Sequence, residues 1–133
     1  SRKKELKKLA KKNNVNVNFL GRVDYFELQE IYKNYRIFIM PSLFEGNPKA
    51  LLEALASGCL VFAYNNKNIS EIIVNKKNGI LFTLETDLNK EIEKYLYSEN
   101  SFNSLTTGAY DYIKENNLIN ILLEKEMEIY KKL

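Results

Sequence analysis

Short apolar runs that alternate with helix-like segments constrain the fold of this chain more than any other feature of its sequence. The runs cover residues 15–20, 37–40, 60–64 and 79–82. The second run is continuously apolar and ends at Pro41, as expected of a strand that is covered on both faces. Helical spacing separates the runs. We therefore predict an α/β fold, a Rossmann-like parallel sheet of about four strands flanked by helices.

The predicted helices lie before, between and after these runs, over residues 2–13, 25–34, 48–57, 87–97, 101–115 and 118–132. The first carries Leu6 and Leu9 on one face among lysines, which favours a surface helix packed on the sheet over a membrane-bound one. Asn68 is predicted to cap a further short helix, since Glu71 follows three residues later.

Composition limits the classes of protein to which this chain can belong. Its 133 residues are 45% hydrophobic and 28% charged, which indicates one folded globular domain, 1–133, with a helical tail over 87–133. The net charge of +3 is too small to imply a nucleic-acid partner. With no transmembrane-length apolar stretch, we expect a cytoplasmic protein.

Two absences from the sequence exclude several kinds of chemistry. The chain has no His, which rules out a histidine general base and histidine metal ligands. Its single cysteine, Cys59, rules out an intrachain disulfide and a multi-cysteine zinc site. Because Cys59 lies in an apolar run, a buried inert thiol is expected. No metal site is predicted.

The loop and helix over residues 41–54 carry the features that point to ligand binding. The segment leaves the carboxyl end of a buried strand, which is where open parallel sheets bind ligands. Asn47 suits an N-cap and Pro48 suits the first helical position. The free N–H groups and positive dipole end of such a helix can bind a phosphate group.

Two carboxylates, Glu45 and Glu53, bracket this helix end. Carboxylates accept strong hydrogen bonds from sugar hydroxyls, so the arrangement suits a sugar–diphosphate–ribose molecule. An alternative interpretation makes Glu53 one half of a surface ion pair with Lys49 and Glu45 a solvated loop charge. Lys-then-Glu is the poorer order for a helix. The residues alone leave both interpretations open, although apolar neighbours indicate that Glu53 needs a partner.

The order of several segments resembles one known family. Glu45 and Glu53 are separated by seven residues within Glu-Gly-x-Pro-x-x-Leu-Leu-Glu-Ala-x-Ala-x-Gly, which resembles the E-x7-E signature of the group 1 (family 4-like) retaining glycosyltransferases. The surrounding segments agree in order and spacing: 17–23, 40–42, 70–73, 78–82 and 127–130. The resemblance implies the C-terminal, donor-binding domain of a GT-B glycosyltransferase.

The resemblance also assigns the donor, a UDP- or GDP-linked sugar, to particular residues. Glu45 is the implied catalytic residue and would contact hydroxyls of the donor sugar, while Glu53 would hold the ribose hydroxyls. The other implied donor-binding residues lie near the diphosphate or against the nucleobase: Gly46, Asn47, Arg22 and Val23. The implied reaction is hexosyl transfer to a hydroxyl acceptor with retention, without a metal or other cofactor. Many members of the family act in polysaccharide biosynthesis at the inner membrane face. Peripheral association with that face is therefore compatible with the resemblance.

Family members also carry parts that this sequence does not show. These are upstream strands, a basic Arg/Lys pair that neutralises the diphosphate, and an N-terminal acceptor domain; Lys49 is the nearest basic substitute. We therefore expect an N-terminally truncated domain that is inactive as an isolated fragment. The strand at 15–20 would pair directly with that at 37–40, be joined to it by a partner chain, or lie loose. One alternative function is a non-catalytic nucleotide- or glycan-binding module (a pseudo-transferase). The other is an interaction domain with surface glutamates.

Overall fold

The computed structural model describes residues 1–43, 48–116, 124 and 127–132 of the chain. In chain order its elements are α1 (Arg2–Lys12), α2 (Tyr25–Asn34), β1 (Ile37–Met40), α3 (Lys49–Ala56), β2 (Leu60–Tyr64), α4 (Lys67–Ser70), β3 (Ile80–Phe82), α5 (Leu88–Leu96) and α6 (Glu99–Glu115). The helix predicted over 118–132 lies mainly outside the described residues, and 127–131 are helical. Among the helices described, none is long and apolar enough to cross a membrane.

The sheet is parallel throughout, in the order β1-β2-β3. Ile37 pairs with Leu60, and Phe62 pairs with Ile80. Each strand is linked to the next by a helix, as a parallel sheet requires. The predicted α/β architecture is therefore confirmed.

The predicted count of about four strands is wrong, because residues 15–20 do not join the sheet. Neighbouring strands must lie about 4.8 Å apart to share a hydrogen-bond ladder. A cavity of about 610 Å³, lined by Val17 and Leu20 on one side and Ile37 and Phe38 on the other, separates this segment from β1. Direct pairing of this segment with β1, one of the three arrangements considered from the sequence, is therefore wrong.

The strand β2 lies at the centre of two apolar clusters. Val61 and Ala63 pack in the cluster that contains α3 and the end of α6, while Leu60 and Phe62 pack in the cluster that contains β3 and the start of α6. All four side chains are 0–1% exposed. The strand predicted over 60–64 is confirmed, and it has the cover on both faces that the sequence predicts for the run over 37–40.

The same prediction is wrong for β1. Met40 is buried, but Ile39 is 41% exposed and Ile37 is half-buried. The reason is position: β1 is the edge strand of the described sheet, and residues 15–20 do not cover its free side.

Helix α1 is a surface helix, as predicted, but its apolar stripe does not reach a buried position. None of its residues is buried, and Leu6 and Leu9 are 47% and 55% exposed. The stripe faces Val15, Val17 and Phe19 across a cavity of about 410 Å³. The predicted packing of α1 on the sheet is replaced by a loose contact with the extended segment.

Two predicted helix starts are corrected by the caps that the structure shows. Asn66, not Asn68, caps α4; its side chain accepts a hydrogen bond from the Ile69 N–H at 3.0 Å. Asn66 has the extended backbone that an N-cap needs, whereas Asn68 lies inside the helix. Likewise α6 begins at Glu99, two residues earlier than predicted, because the Ser98 side chain caps it.

Helix α6 packs closely against the turn that precedes β3. Asn78 is 4% exposed, and its side chain holds this turn. The side-chain oxygen accepts a hydrogen bond from the Val74 N–H, and the side-chain nitrogen donates one to the Ile72 carbonyl oxygen. A Cβ atom added at Gly108 would overlap the Lys77 carbonyl oxygen of the turn. Glycine in a helix interior normally costs stability, so close approach is the reason for glycine at this position.

Replacing Gly108 with Ala is expected to lower the free energy of unfolding by about 1–3 kcal/mol, because the new methyl group must push α6 away from the turn. Urea denaturation followed by circular dichroism measures the change. Thr107→Ala, at an exposed neighbouring position on α6, is the control and should leave stability unchanged or slightly higher. A Gly108→Ala protein as stable as the wild type would contradict this packing.

Candidate functional site

The predicted phosphate-binding helix lies where the sequence places it. Helix α3 connects two parallel strands, β1 and β2, so it begins at the edge of the sheet where the strands end. Glu45, Gly46 and Asn47 lie outside the described residues, and their implied roles stay predictions. Of the predicted site residues, the structure describes Arg22, Val23 and Glu53.

Helix α3 begins one residue later than the sequence suggests. Pro48 occupies the N-cap position in place of Asn47, and its carbonyl oxygen accepts the Leu52 N–H at 3.1 Å. Proline has no N–H of its own and a φ already close to the helical value, so it suits the entry to a helix. Because α3 begins at the carboxyl end of β1, the N–H groups of its first turn face that edge of the sheet.

Glu53 is buried and paired. Its side chain is 7% exposed, and its Oε1 lies 3.5 Å from Nζ of Lys49, which is 23% exposed. The ion pair considered from the sequence therefore exists, but it is not a surface pair. A carboxylate removed from water needs such a partner, because an unpaired buried charge is strongly destabilising.

A buried tyrosine of α2 feels the charge of Glu53. Tyr32 is 6% exposed. The pKa of Tyr32 is raised to about 12. Burial is the largest cause, and the charges of Glu53 and then of Cys59 add to it. The Tyr32 carbonyl oxygen accepts a hydrogen bond from the Cys59 thiol at 3.1 Å. Cys59 is buried as predicted, and burial raises the pKa of its thiol.

The turn before α2 holds the other two described site residues, Arg22 and Val23. Gly21 has a φ of +66°, a conformation that suits glycine, and Arg22 and Val23 follow as an exposed and a half-buried residue. Val23 lines a cavity of about 580 Å³ that the start of α1 also borders. The Tyr25 ring lies 5.7 Å from Nζ of Lys49. Lys49 thus contacts the first residue of α2 as well as Glu53, whereas no contact joins Arg22 or Val23 to Glu53 among the described residues.

The sequence pointed to one further residue of this arrangement, Lys49, but not to another, Tyr25. The position of Lys49, four residues before Glu53, predicted a pair but was equally compatible with an exposed one. Tyr25 is one of nine tyrosines and carries no local signal that separates it from the others. Both are assigned to the site by their contacts across elements.

In the described part of the chain, no three His, Cys, Asp or Glu side chains come together in a way that could hold a metal ion. The expected independence from metal stays a prediction.

Comparison with known proteins decides the family. A model of the family described as glycosyl transferases group 1 matches residues 1–112. The chain belongs to this family. It is 32% identical over 135 residues to Protein CapJ of Staphylococcus aureus, an alignment that covers 98% of this chain and 34% of CapJ.

Two solved structures share the fold. The C-terminal domain of LpcC, a glycosyl transferase group 1 family protein from Francisella tularensis, has a TM-score of 0.71 at 23% identity, over 85% of this chain and 60% of that chain. Sucrose-phosphate synthase from Thermosynechococcus elongatus has a TM-score of 0.76 at 16% identity, over 99% and 35% of the two chains. The predicted family and GT-B fold are confirmed. This glycosyltransferase-family chain spans about a third of the length of CapJ.

Replacing Tyr32 with Phe should make the protein less sensitive to alkali. Above pH 10 the unfolded chain releases the Tyr32 proton while the folded chain keeps it until about pH 12, so unfolding becomes more favourable across that window. In this pH range the free energy of unfolding of the wild type should fall by about 1 kcal/mol per pH unit more than that of Tyr32→Phe. Urea denaturation at a series of pH values measures this. Tyr110→Phe, at a 51% exposed tyrosine, is the control, and equal slopes for all three proteins would contradict the prediction.

The Lys49–Glu53 pair should show a clear coupling energy. Lys49→Met leaves a buried carboxylate unpaired, whereas the same change in a Glu53→Gln protein does not. A double-mutant cycle of unfolding free energies is expected to give a coupling energy of about 1–2 kcal/mol for this pair. The exposed Lys33–Glu30 pair is the matched control, with an expected coupling below about 0.5 kcal/mol. Equal coupling in the two cycles would show that burial adds nothing.

Proposed function

We propose that this chain is the donor-binding domain of a glycosyltransferase that moves a hexosyl group from a UDP- or GDP-sugar to a hydroxyl acceptor with retention. One observation carries the proposal: the buried, ion-paired Glu53 carboxylate lies in a helix that begins at the carboxyl edge of a parallel sheet. A stability role explains this poorly, because burying a charge pair gains little over an apolar side chain. A ligand that brings hydroxyl groups to the carboxylate explains why a charged side chain stands at this buried position.

The donor fits this edge in a definite order. The first-turn N–H groups of α3 and the helix dipole receive the diphosphate. Glu53, at the fifth position of α3 and about 6 Å along the axis from its first residue, accepts hydrogen bonds from the ribose hydroxyls. The base lies against the turn at Arg22 and Val23. Glu45, together with the backbone N–H groups of Gly46 and Asn47, contacts the transferred sugar.

The proposed transfer balances without a metal or other cofactor. The bond between the anomeric carbon and the diphosphate oxygen breaks, and a bond from the acceptor oxygen to the same face of that carbon forms. The acceptor proton passes to the leaving diphosphate. The protein then contributes chiefly orientation and charge stabilisation at the phosphate.

The acceptor belongs to a part of the protein that this chain does not supply. Orientation of the second substrate provides much of the rate of a two-substrate reaction, so the isolated domain is expected to bind donor without turnover. We propose polysaccharide biosynthesis as the setting, as the family resemblance implies. We propose a cytoplasmic location, at the inner membrane face when the acceptor is lipid-linked.

Ligand-observed NMR of the 133-residue chain with UDP, GDP and their hexose conjugates tests donor binding. We expect saturation transfer to the nucleotides of one base series. Glu53→Gln should weaken their affinity about tenfold or more, since a charged acceptor for the ribose is lost. Glu93→Gln is the control, because Glu93 is exposed on α5, whose apolar side chains pack in the cluster on the opposite face of β2 from α3. A folded chain that binds neither series would overturn the proposal. Binding that Glu53→Gln leaves unchanged would remove Glu53 from the site.

A further inference from the structure

Helix α1 holds most of the positive charge of this chain. Seven of the 20 lysine and arginine residues lie within Arg2–Lys12, but only one of the 17 acidic residues does, so the helix carries a net charge of +6. Since the chain as a whole carries +3, the residues outside α1 together carry −3. In the described part of the chain, no ion pair joins a basic side chain of α1 to an acidic one. The helix is therefore a cationic surface that no neighbour neutralises, and such a surface attracts anionic partners.

Exposed apolar side chains lie on α1 and on the extended segment 15–20 beside it. Five of them are about half exposed: Leu6, Leu9, Val15, Val17 and Leu20. Apolar side chains, together with Asn13, line the cavity of about 410 Å³ between the helix and the segment. A contiguous apolar patch at a protein surface marks an interaction site, because its contact with water is unfavourable. We call α1 and residues 15–20 together the α1 surface.

Cations lie directly beside these apolar side chains. Lys7 Nζ is 5.8 Å from the centroid of the Phe19 ring. Arg2 and Lys3 border the cavity of about 580 Å³ that Leu6 also lines. The stem of a lysine or arginine can lie along apolar surface while its charged end stays in water. The α1 surface therefore offers positive charge and apolar area side by side.

A bilayer that contains anionic lipids matches both properties of this surface. Its headgroups attract the cations, and the boundary of its acyl chains takes up apolar side chains. A nucleic acid matches the charge alone, since contacts to its phosphates use cations and leave exposed leucines unexplained. A second copy of this chain matches the apolar area alone, because a symmetric contact would bring two helices of net charge +6 together.

We propose that the α1 surface is a docking surface for a bilayer that contains anionic lipids. Leu6 and Leu9 enter the boundary between headgroups and acyl chains together with the exposed valines of the segment, while the lysines of α1 contact the headgroups. The sequence favours packing of α1 on the sheet, but none of its residues is buried there, so its apolar stripe is available for this contact. The inference goes beyond the proposed function, because it needs neither donor binding nor transfer.

Co-sedimentation of the 133-residue chain with lipid vesicles tests the proposal. Vesicles of phosphatidylcholine alone are compared with vesicles that contain about 30% phosphatidylglycerol, whose negative surface potential attracts basic segments. The chain should partition onto the anionic vesicles about tenfold or more strongly than onto the neutral ones, and high salt should weaken this binding.

A first pair of variants tests the charge of the α1 surface. Each basic residue near an anionic bilayer strengthens binding by about fivefold, so removing three from α1 should weaken partitioning about tenfold or more. This variant is Lys7→Gln, Lys8→Gln and Lys11→Gln combined. Its control removes the same charge from exposed lysines of α2 and α5 and should stay within about threefold of the wild type. The control combines Lys33→Gln, Lys90→Gln and Lys94→Gln.

A second pair of variants tests the apolar contribution. Leu6→Gln and Leu9→Gln combined keep every charge of α1, and should weaken partitioning onto anionic vesicles about tenfold or more because apolar area is lost from the contact. Leu84→Gln, at an 83% exposed leucine outside the α1 surface, is the control and should change nothing. Because no residue of α1 is buried, all of these variants should keep the unfolding free energy of the wild type in urea.

Several outcomes would overturn the proposal. A folded wild type that does not bind anionic vesicles is the simplest. If the Leu6→Gln, Leu9→Gln protein binds them as well as the wild type, the lysines adsorb without apolar docking. Binding to a DNA duplex but not to vesicles would make nucleic acid the partner, and a dimer that this variant dissociates, again without vesicle binding, would make it a second copy. Nucleotide binding measured on the same samples separates these outcomes from a failure of the donor site.

Discussion

Burial of β2 on both faces is the constraint on which the rest of this structure depends. Two apolar clusters meet on this strand, one from each side, and β1 and β3 pair with its two edges. Because α3 runs from the end of β1 to the start of β2, packing its Leu51 and Leu55 against the strand also fixes its direction. The helix N-terminus is thereby aimed at the carboxyl edge, and Glu53 is carried into the interior with it.

The charge pair on α3 is a local exception in an otherwise apolar interface. Leu51, Ala54 and Leu55 on the same helix are 0–1% exposed, and a leucine at position 53 would extend that packing. The fold instead buries a carboxylate beside an ammonium, and the pKa of the Tyr32 phenol is raised by burial and then by the charge of that carboxylate. Features that oppose the local packing rule are expected at functional positions, where stability is exchanged for binding.

The free side of β1 is the least complete part of the domain. An edge strand with a 41% exposed isoleucine, a cavity of about 610 Å³ and an extended segment beyond it leave apolar surface poorly covered. The family to which the chain belongs includes proteins of which it spans about a third, as with CapJ. The proposed donor site lies at the start of α3, so it forms without that side being covered.

The sequence by itself determined that the strands are parallel, the bounds of β1 and β2, and a helix with an apolar face around Glu53, because these follow from local periodicity and from residues such as Pro41. It also determined the family, through the spacing of segments. Tertiary structure decided that residues 15–20 stay outside the sheet, and that Lys49 pairs with Glu53 in the interior beside Tyr25. Pairing and burial depend on residues far apart along the chain, and periodicity carries information about near neighbours alone.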